Sequence, residues 1–259
     1  MVTKLFSNSL YAEEGLFSQG ILGGDFVFLA QDARRPDGSL THPNDVESQT
    51  FRTLENLNAA LETIGQKLAN LVSLKVFLVD YKDLSVVAGC LERSFSDPRR
   101  IFPATTYLGV MGLDGGCRLR MDGVASASPD REQIHAPDVP DASGSRCHGV
   151  RIGDFLFLSG VDAVDPHRKV SPPPGIDTQT LEVLNRIERI LRSQRLSLRR
   201  RIVRGMAKRA KNVTGGSSVK MSFPLTQDFM LKNSEPIFFC ARSRLLTEAV
   251  ENSQSIAQK

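Results

Sequence analysis

Gly20-Ile-Leu-Gly-Gly-Asp-Phe-Val-Phe-Leu-Ala-Gln-Asp-Ala33 sets the predicted architecture of the chain, because it returns later as Gly149-Val-Arg-Ile-Gly-Asp-Phe-Leu-Phe-Leu-Ser-Gly-Val-Asp-Ala163. In both copies a Gln-Thr pair follows and opens a helical pattern, at Gln49-Thr50 and at Gln179-Thr180. The copies are roughly 130 residues apart, which is the size of a domain. We interpret the pattern as an internal duplication.

The first copy predicts a strand, a helix, a strand and a second helix in that order. Residues 25–30 are a short apolar run, typical of a strand that is buried on both faces. Alternation over residues 72–79 predicts the next strand, and Asp83 is expected to cap a helix that runs to Phe95. Apolar spacings of three and four predict the intervening helix, ending near Gly65, with these residues on one face: Leu54, Leu57, Leu61, Ile64 and Leu68.

Two more strand-like runs close the first copy, at residues 104–110 and 118–125. The glycine-rich segment Gly112-Leu-Asp-Gly-Gly116 lies between them and is a hairpin signal. The sequence therefore predicts an α+β domain of order β-α-β-α-β-β, with both helices on one face of the sheet.

The second copy is incomplete, because its match ends near Leu198. Its helix repeats the apolar spacing at Leu184, Ile187 and Leu191, and a half-domain leaves that face in need of a partner. The intervening segment is rich in proline and poor in apolar residues, as linkers are. We predict a complete domain over residues 1–128, a linker over 129–145, half of a second domain over 146–198 and a divergent, poorly ordered tail over 199–259.

The tail accounts for the basic character of the chain, whose formal net charge is +4. Residues 192–211 carry nine basic residues and no acidic one. Such a run suits phosphates or an anionic membrane, but it contains no aromatic residue on which a base could stack. We interpret it as a solvated segment and predict no nucleic-acid partner. Two origins of the tail stay open: an evolved segment, or a shifted reading frame or mis-spliced gene model.

The bulk composition indicates a globular protein of the cytoplasm. The sequence contains no apolar run near 18 residues, which predicts no membrane span, and the first residues lack the apolar region of a secretory signal. Its four cysteines and four histidines show no metal-ligand spacing, so free thiols and no metal are expected. We interpret the adjacent Cys147-His148 pair as chance rather than as a metal or nucleophile site.

The order of signals over residues 11–125 resembles the RidA/YjgF family, also called L-PSP endoribonucleases. The segments that carry the resemblance are Phe17-Ser-Gln-Gly-Ile, Gly24-Asp-Phe-Val-Phe-Leu, Gln49-Thr50, Leu54-Glu-Asn-Leu57, Lys75-Val-Phe-Leu-Val-Asp80, Phe102-Pro-Ala-Thr-Thr106 and Met121-Asp-Gly-Val-Ala125. The resemblance implies a chorismate-mutase-like fold and a homo-oligomer, a trimer or pseudo-trimer, with small clefts between neighbouring subunits.

The resemblance also implies an activity, the hydrolysis of small 2-imino acids to 2-keto acids and ammonia without a cofactor. That chemistry needs a guanidinium for the substrate carboxylate, because two parallel hydrogen bonds fix the carboxylate's orientation. It also needs a carboxylate or backbone group that positions the attacking water.

This sequence departs from the family at four cleft positions. By resemblance, Thr105 stands where the family has the arginine and Arg120 where it has a glutamate, while Phe17 and Ala88 replace a tyrosine and an asparagine. We take these four as the candidate substrate-binding residues and assign no catalytic residue. Two functions follow: a hydrolase with a modified cleft, or a non-catalytic protein that binds a small ligand or a partner on the same scaffold.

Arg120 offers one way to keep an anion site. If the last two strands pair as a hairpin, Arg118 and Arg120 lie on the same face, and Arg120 can replace the missing guanidinium from across the ladder. The alternative is that both arginines face solvent.

Overall fold

The computed structural model describes residues 2–12, 18–97, 101–141, 144–164, 175–197, 229–232 and 235–238. Residues 2–126, the first unit, contain β1 (Val2–Leu5), β2 (Gly20–Gly23), β3 (Phe26–Asp32), α1 (Val46–Glu62), β4 (Leu71–Leu78), α2 (Leu84–Ser94), β5 (Ala104–Gly109) and β6 (Leu119–Ser126). These strands form one sheet in the order β1-β2-β3-β6-β4-β5. The α+β prediction is confirmed, with two additional short strands, β1 and β2, before the first predicted one.

Helix α1 begins and ends where its sequence signals lie. The Asp45 carboxylate accepts a hydrogen bond from the Glu47 N–H and caps the first turn. At the other end, Gly65 has a φ of 72° and the Gln66 N–H donates to the Leu61 carbonyl, which is the geometry of a glycine-terminated helix. Leu68 therefore lies beyond the helix and not on its face.

Both helices cover the same face of the sheet. The layer between the helices and the sheet is one apolar cluster, which includes the fully buried residues Leu57, Leu61, Leu74, Leu91 and Leu119. Burying one such side chain contributes about 1.5–3 kcal/mol, so this layer supplies most of the first unit's stability.

The hairpin predicted from the glycine-rich segment is wrong. Strand β5 pairs with β4 in parallel, at the edge of the sheet, while β6 lies between β3 and β4 and is antiparallel to both. The burial pattern explains this position, because Leu119 and Met121 are both fully buried and need covered neighbours on either side. Gly123 also lets β6 approach β4 closely, since an added Cβ at Gly123 would lie 2.9 Å from the Leu71 side chain.

Residues 131–197, the second unit, have their strands and helix in the same order as the start of the first unit. They contain β7 (Arg131–Ile134), β8 (Gly149–Ile152), β9 (Phe155–Leu158) and α3 (Ile176–Ser193). Strand β7 pairs with β8 in the same register as β1 with β2, and β8 pairs with β9 as β2 does with β3. Residues 131–134, predicted as part of a linker, are therefore a strand of this unit, and the fully buried Ile134 anchors it.

His148 has a structural role in the second unit. Its Nδ1 accepts a hydrogen bond from the Ala136 N–H at 3.0 Å, and its Nε2 lies 3.0 Å from the Val139 carbonyl oxygen, so the proton is on Nε2. Gln19 bonds the corresponding backbone segment of the first unit in the same way, through its amide oxygen and nitrogen. The ring therefore holds the segment between β7 and β8 in place.

The apolar face of α3 finds its partner within the second unit. Ile187, Ile190 and Leu191 are buried in a cluster with Leu156 and Leu158 of β9. The second unit therefore has an apolar core of its own on this side.

The other face of the second unit's sheet packs on the first unit, opposite the helices. The ring of Phe26 makes edge contacts with Phe155 and Phe157, at centroid distances of 4.9 and 5.5 Å. Val72 and Val150 are fully buried in the same cluster. Edge-to-face aromatic pairs add about 0.5–1.5 kcal/mol each beyond burial, so this contact joins the two units firmly.

Two short strands belong to the predicted tail. β10 (Phe229–Lys232) and β11 (Glu235–Phe238) form an antiparallel pair, and β10 lies against β9. Of the basic run over residues 192–211, the part from residue 198 onward lies outside the described residues. Within the described ranges, no helix is both long and apolar enough to cross a bilayer.

The role of His148 predicts different outcomes for two substitutions. His148→Gln restores one acceptor and one donor, as in the first unit, so we expect the free energy of unfolding to stay within about 1 kcal/mol of the parent. His148→Leu leaves the Ala136 N–H and the Val139 carbonyl without partners and should cost about 1–3 kcal/mol. Urea denaturation measures both. Equal destabilisation by the two substitutions would contradict this role.

Candidate functional site

Thr105, the position of the expected guanidinium, is closed off by the second unit. The residue is 1% exposed. Its N–H donates to the Ser159 hydroxyl at 3.2 Å, and its carbonyl accepts from the Gly160 N–H at 3.1 Å and from the Ser145 hydroxyl at 3.0 Å. Its own hydroxyl donates to the Pro103 carbonyl at 2.8 Å. Every polar group of Thr105 therefore has a partner within the protein.

Ala88 lies beneath the same covering segment. Gly144 has a φ of 78°, and an added Cβ there would lie 2.7 Å from the ring of Tyr107 and 3.4 Å from the Ala88 Cβ. The Tyr107 hydroxyl donates to the Gly144 carbonyl at 3.3 Å, and burial raises the pKa of this phenol. A glycine at 144 thus allows the segment to lie directly over α2 and β5.

Arg120 lies on the opposite face of the sheet from Thr105. In the pairing with β4, Thr105 is opposite Leu74 and Arg120 is opposite Phe77. Side chains alternate along a strand, so Leu74 and Phe77 point to different faces. The structure does not bring Thr105 and Arg120 into one cleft, and Arg120 does not replace the missing guanidinium there.

Arg120 instead lines a small pocket of about 90 Å³ at the end of β3. Its Nε donates to Asp122 at 3.0 Å, in an ion pair whose side chains are 38% and 36% exposed. The other polar or charged residues around the pocket include Tyr11, Gln31, Asp32, Arg34, Asn56 and Asp114. Phe17 is outside the described residues, and its neighbour Ser18 lies at the pocket wall.

Arg34 is a pocket residue that the sequence analysis missed. Its guanidinium binds the Asp32 carboxylate, with Nη2 at 2.6 Å, and stacks on the Tyr11 ring at 4.1 Å. The hydrogen bond to Asp32 raises the pKa of Arg34. The only sequence signal was the Asp32-Ala-Arg34 spacing, which places both side chains on one face. Because Arg34 is only 16% exposed and already paired, Arg120 is the more accessible of the two cations.

Arg118 does not share the environment of Arg120. Its guanidinium makes a forked ion pair with Asp83, with Nη2 at 2.7 Å and Nε at 3.1 Å from the same oxygen. Asp83 stands at the N-cap position of α2 but makes no side-chain capping bond. The predicted cap therefore serves as the partner of Arg118 and ties α2 to β6.

The described cysteines are buried thiols. Burial raises the pKa of Cys117 to about 11 and also raises that of Cys147, so neither is a thiolate at neutral pH. Cys240 lies outside the described residues. In the part of the chain that the structure describes, no three His, Cys, Asp or Glu residues are grouped to hold a metal ion.

Comparisons with known proteins agree with the sequence resemblance. A sequence profile described as endoribonuclease L-PSP matches residues 7–127. A RutC family protein of Pyrococcus abyssi is 30% identical over 112 residues, which are 43% of this chain and 86% of that protein. The 2-iminobutanoate/2-iminopropanoate deaminase of Escherichia coli K12 is 29% identical over 111 residues, 43% of this chain and 87% of that enzyme.

The chain also matches a solved structure, that of the YjgF gene product of Escherichia coli. The match covers 49% of this chain and 99% of that protein, with 24% identity and a TM-score of 0.45. From the sequence matches, the chain belongs to the RidA/YjgF family, and the matched residues coincide with the first unit.

The closed environment of Thr105 predicts that restoring the family's arginine there will fail. Thr105→Arg places a guanidinium where each polar group already has a partner and no space remains, so we expect a loss of about 1–3 kcal/mol of stability. Hydrolysis of freshly generated 2-iminopropanoate should stay at the spontaneous rate. Thr105→Val, which keeps the shape, is the control. Imine hydrolysis by a Thr105→Arg variant of parental stability would contradict the closed cleft.

Proposed function

We propose that this protein binds a small carboxylate-bearing ligand at Arg120 and does not hydrolyse imines at the family's cleft. The observation that carries the proposal is the position of Thr105, which is neutral, 1% exposed and fully hydrogen-bonded to the protein. A cleft without a cation and without space cannot hold a substrate carboxylate in a fixed orientation.

The ion pair of Arg120 suits reversible ligand binding. A half-exposed pair such as Arg120 with Asp122 contributes about 0.2–1 kcal/mol, so a ligand carboxylate can displace Asp122 at low cost. The freed guanidinium of Arg120 then offers the ligand two parallel N–H donors. Arg34 does not compete for this role, because Asp32 and Tyr11 already hold it.

The size of the pocket restricts the ligand to a small molecule. Its volume of about 90 Å³ is far below the 300–1,000 Å³ typical of sites for larger organic ligands. The Escherichia coli relative is named for small imino acids, which carry a carboxylate. Short 2-keto and 2-imino acids are therefore the ligand class that we propose.

A second candidate function is imine hydrolysis at this same pocket. Asp114 and Arg120 both line it, so the pocket contains a carboxylate as well as a cation. A carboxylate near a bound imine can position the attacking water. This enzyme would use a different pair of residues from the family's.

Binding of 2-ketobutanoate, followed by isothermal titration calorimetry, tests the proposal. Arg120→Ala should weaken binding at least about tenfold, the equivalent of 1.4 kcal/mol. Asp122→Asn removes the competing carboxylate and should tighten binding several-fold. Arg151→Ala, which removes an equal charge from the exposed side of β8, is the matched control and should leave affinity unchanged.

The same samples decide between the alternatives. Unchanged affinity in Arg120→Ala would remove the proposed site. Hydrolysis of 2-iminopropanoate by the parent protein, lost in both Arg120→Ala and Asp114→Asn, would establish the second candidate instead. Sedimentation of these samples also tests the homo-oligomer, trimer or pseudo-trimer, that the family resemblance implies.

A further inference from the structure

Strand β9 has one paired edge and one edge to which no other described strand is hydrogen-bonded. The Ser159 N–H donates to the His148 carbonyl, so the backbone N–H of Ser159 points to the edge of β9 that pairs with β8. Backbone groups alternate between the two edges of an antiparallel strand, and those of Phe157 therefore also face β8. The N–H and C=O groups of Leu156 and Leu158 point to the other edge.

This open edge lies in an apolar setting. Leu156 and Phe157 are 2% and 1% exposed, because α3 covers one face of β9 and the first unit covers the other. An unpaired backbone group in such a place costs about 1–3 kcal/mol. In the first unit, β6 pairs with the corresponding edge of β3. The second unit needs an equivalent cover.

The β10–β11 hairpin is placed and built to supply that cover. Strand β10 lies against β9. Lys232 pairs with Glu235, and only two residues separate them in the sequence. Partners with that separation in an antiparallel pair are hydrogen-bonded to each other. By alternation, the backbone groups of Leu231 point away from β11 and toward β9.

The outer strand of the hairpin is suited to an edge. Pro236 lies opposite Leu231, in a pair that is not hydrogen-bonded, so its missing N–H falls on the outer side of β11. Proline at this position weakens no ladder bond and discourages pairing with a further strand. The edge of the hairpin that faces β9 therefore lacks no N–H donor, while the outer edge lacks the donor at Pro236.

We infer that the paired strands at residues 229–232 and 235–238 cover the open edge of β9, giving a five-stranded order β7-β8-β9-β10-β11. The hairpin takes the place that β6 and β4 hold beside β3 in the first unit. These two strands of the tail then belong to the sheet of the second unit.

Amide hydrogen exchange of the full chain tests this inference, because β9 carries its own internal control. In the parent, the Leu156 and Leu158 amides should be protected at two protein concentrations tenfold apart. Leu231→Pro removes the N–H that faces β9 and should accelerate exchange at both positions at least tenfold, with the Phe157 amide unchanged. Pro236→Ala alters only the outer edge and should leave all three amides as in the parent.

Two results would overturn the inference. Unprotected Leu156 and Leu158 amides in the parent would show that the edge stays open, whatever the effect of Leu231→Pro. Protection that appears only at the higher concentration, together with a dimer in sedimentation, would show that a second copy of the chain covers the edge. A third outcome is that Leu231→Pro also accelerates exchange of the Phe157 amide. Protection of the Leu156 and Leu158 amides in the parent at both concentrations then still supports the hairpin, because it excludes an open edge and a covering second copy.

Discussion

The hydrogen bonds between the backbone of Thr105 and the residues Ser159 and Gly160 hold the two units of the structure together. They join the edge strand of the first unit to the second unit at Thr105, where the family resemblance implies a cleft. The packing of Phe26 against Phe155 and Phe157 supplies the apolar contact around them. Because the same contact joins the units and fills the cleft, opening the cleft for a substrate would require the units to separate.

Local elements were predictable because their signals are local. The apolar spacing gave α1, and alternation or continuous apolar runs gave β3, β4, β5 and β6, each within a few residues. The neighbours of β6 were not predictable from the glycine-rich segment, since strand order depends on contacts between distant residues. Strand β7 was hidden by surrounding prolines and acidic residues, and it is recognisable only by its pairing with β8.

The candidate site likewise has parts that local sequence signals indicate and parts that depend on contacts between distant residues. The sequence singled out positions 88, 105 and 120. Gly144 lies close to Ala88, while Ser145, Ser159 and Gly160 bond Thr105. The sequence could not place Arg120 on the other face, because that depends on the register of β6 and β5 against β4. The pairing of Arg34 with Asp32 likewise depends on how the chain leaves β3, which no motif records.

If the second unit covers Thr105 in solution, the amide of Gly160 must be protected from hydrogen exchange. This amide donates to the Thr105 carbonyl at 3.1 Å. It should therefore exchange as slowly as amides of the buried strand β4, such as that of Val76. Exchange as fast as at Gly112, in the loop between β5 and β6, would show that the cleft is open in solution and would contradict the account.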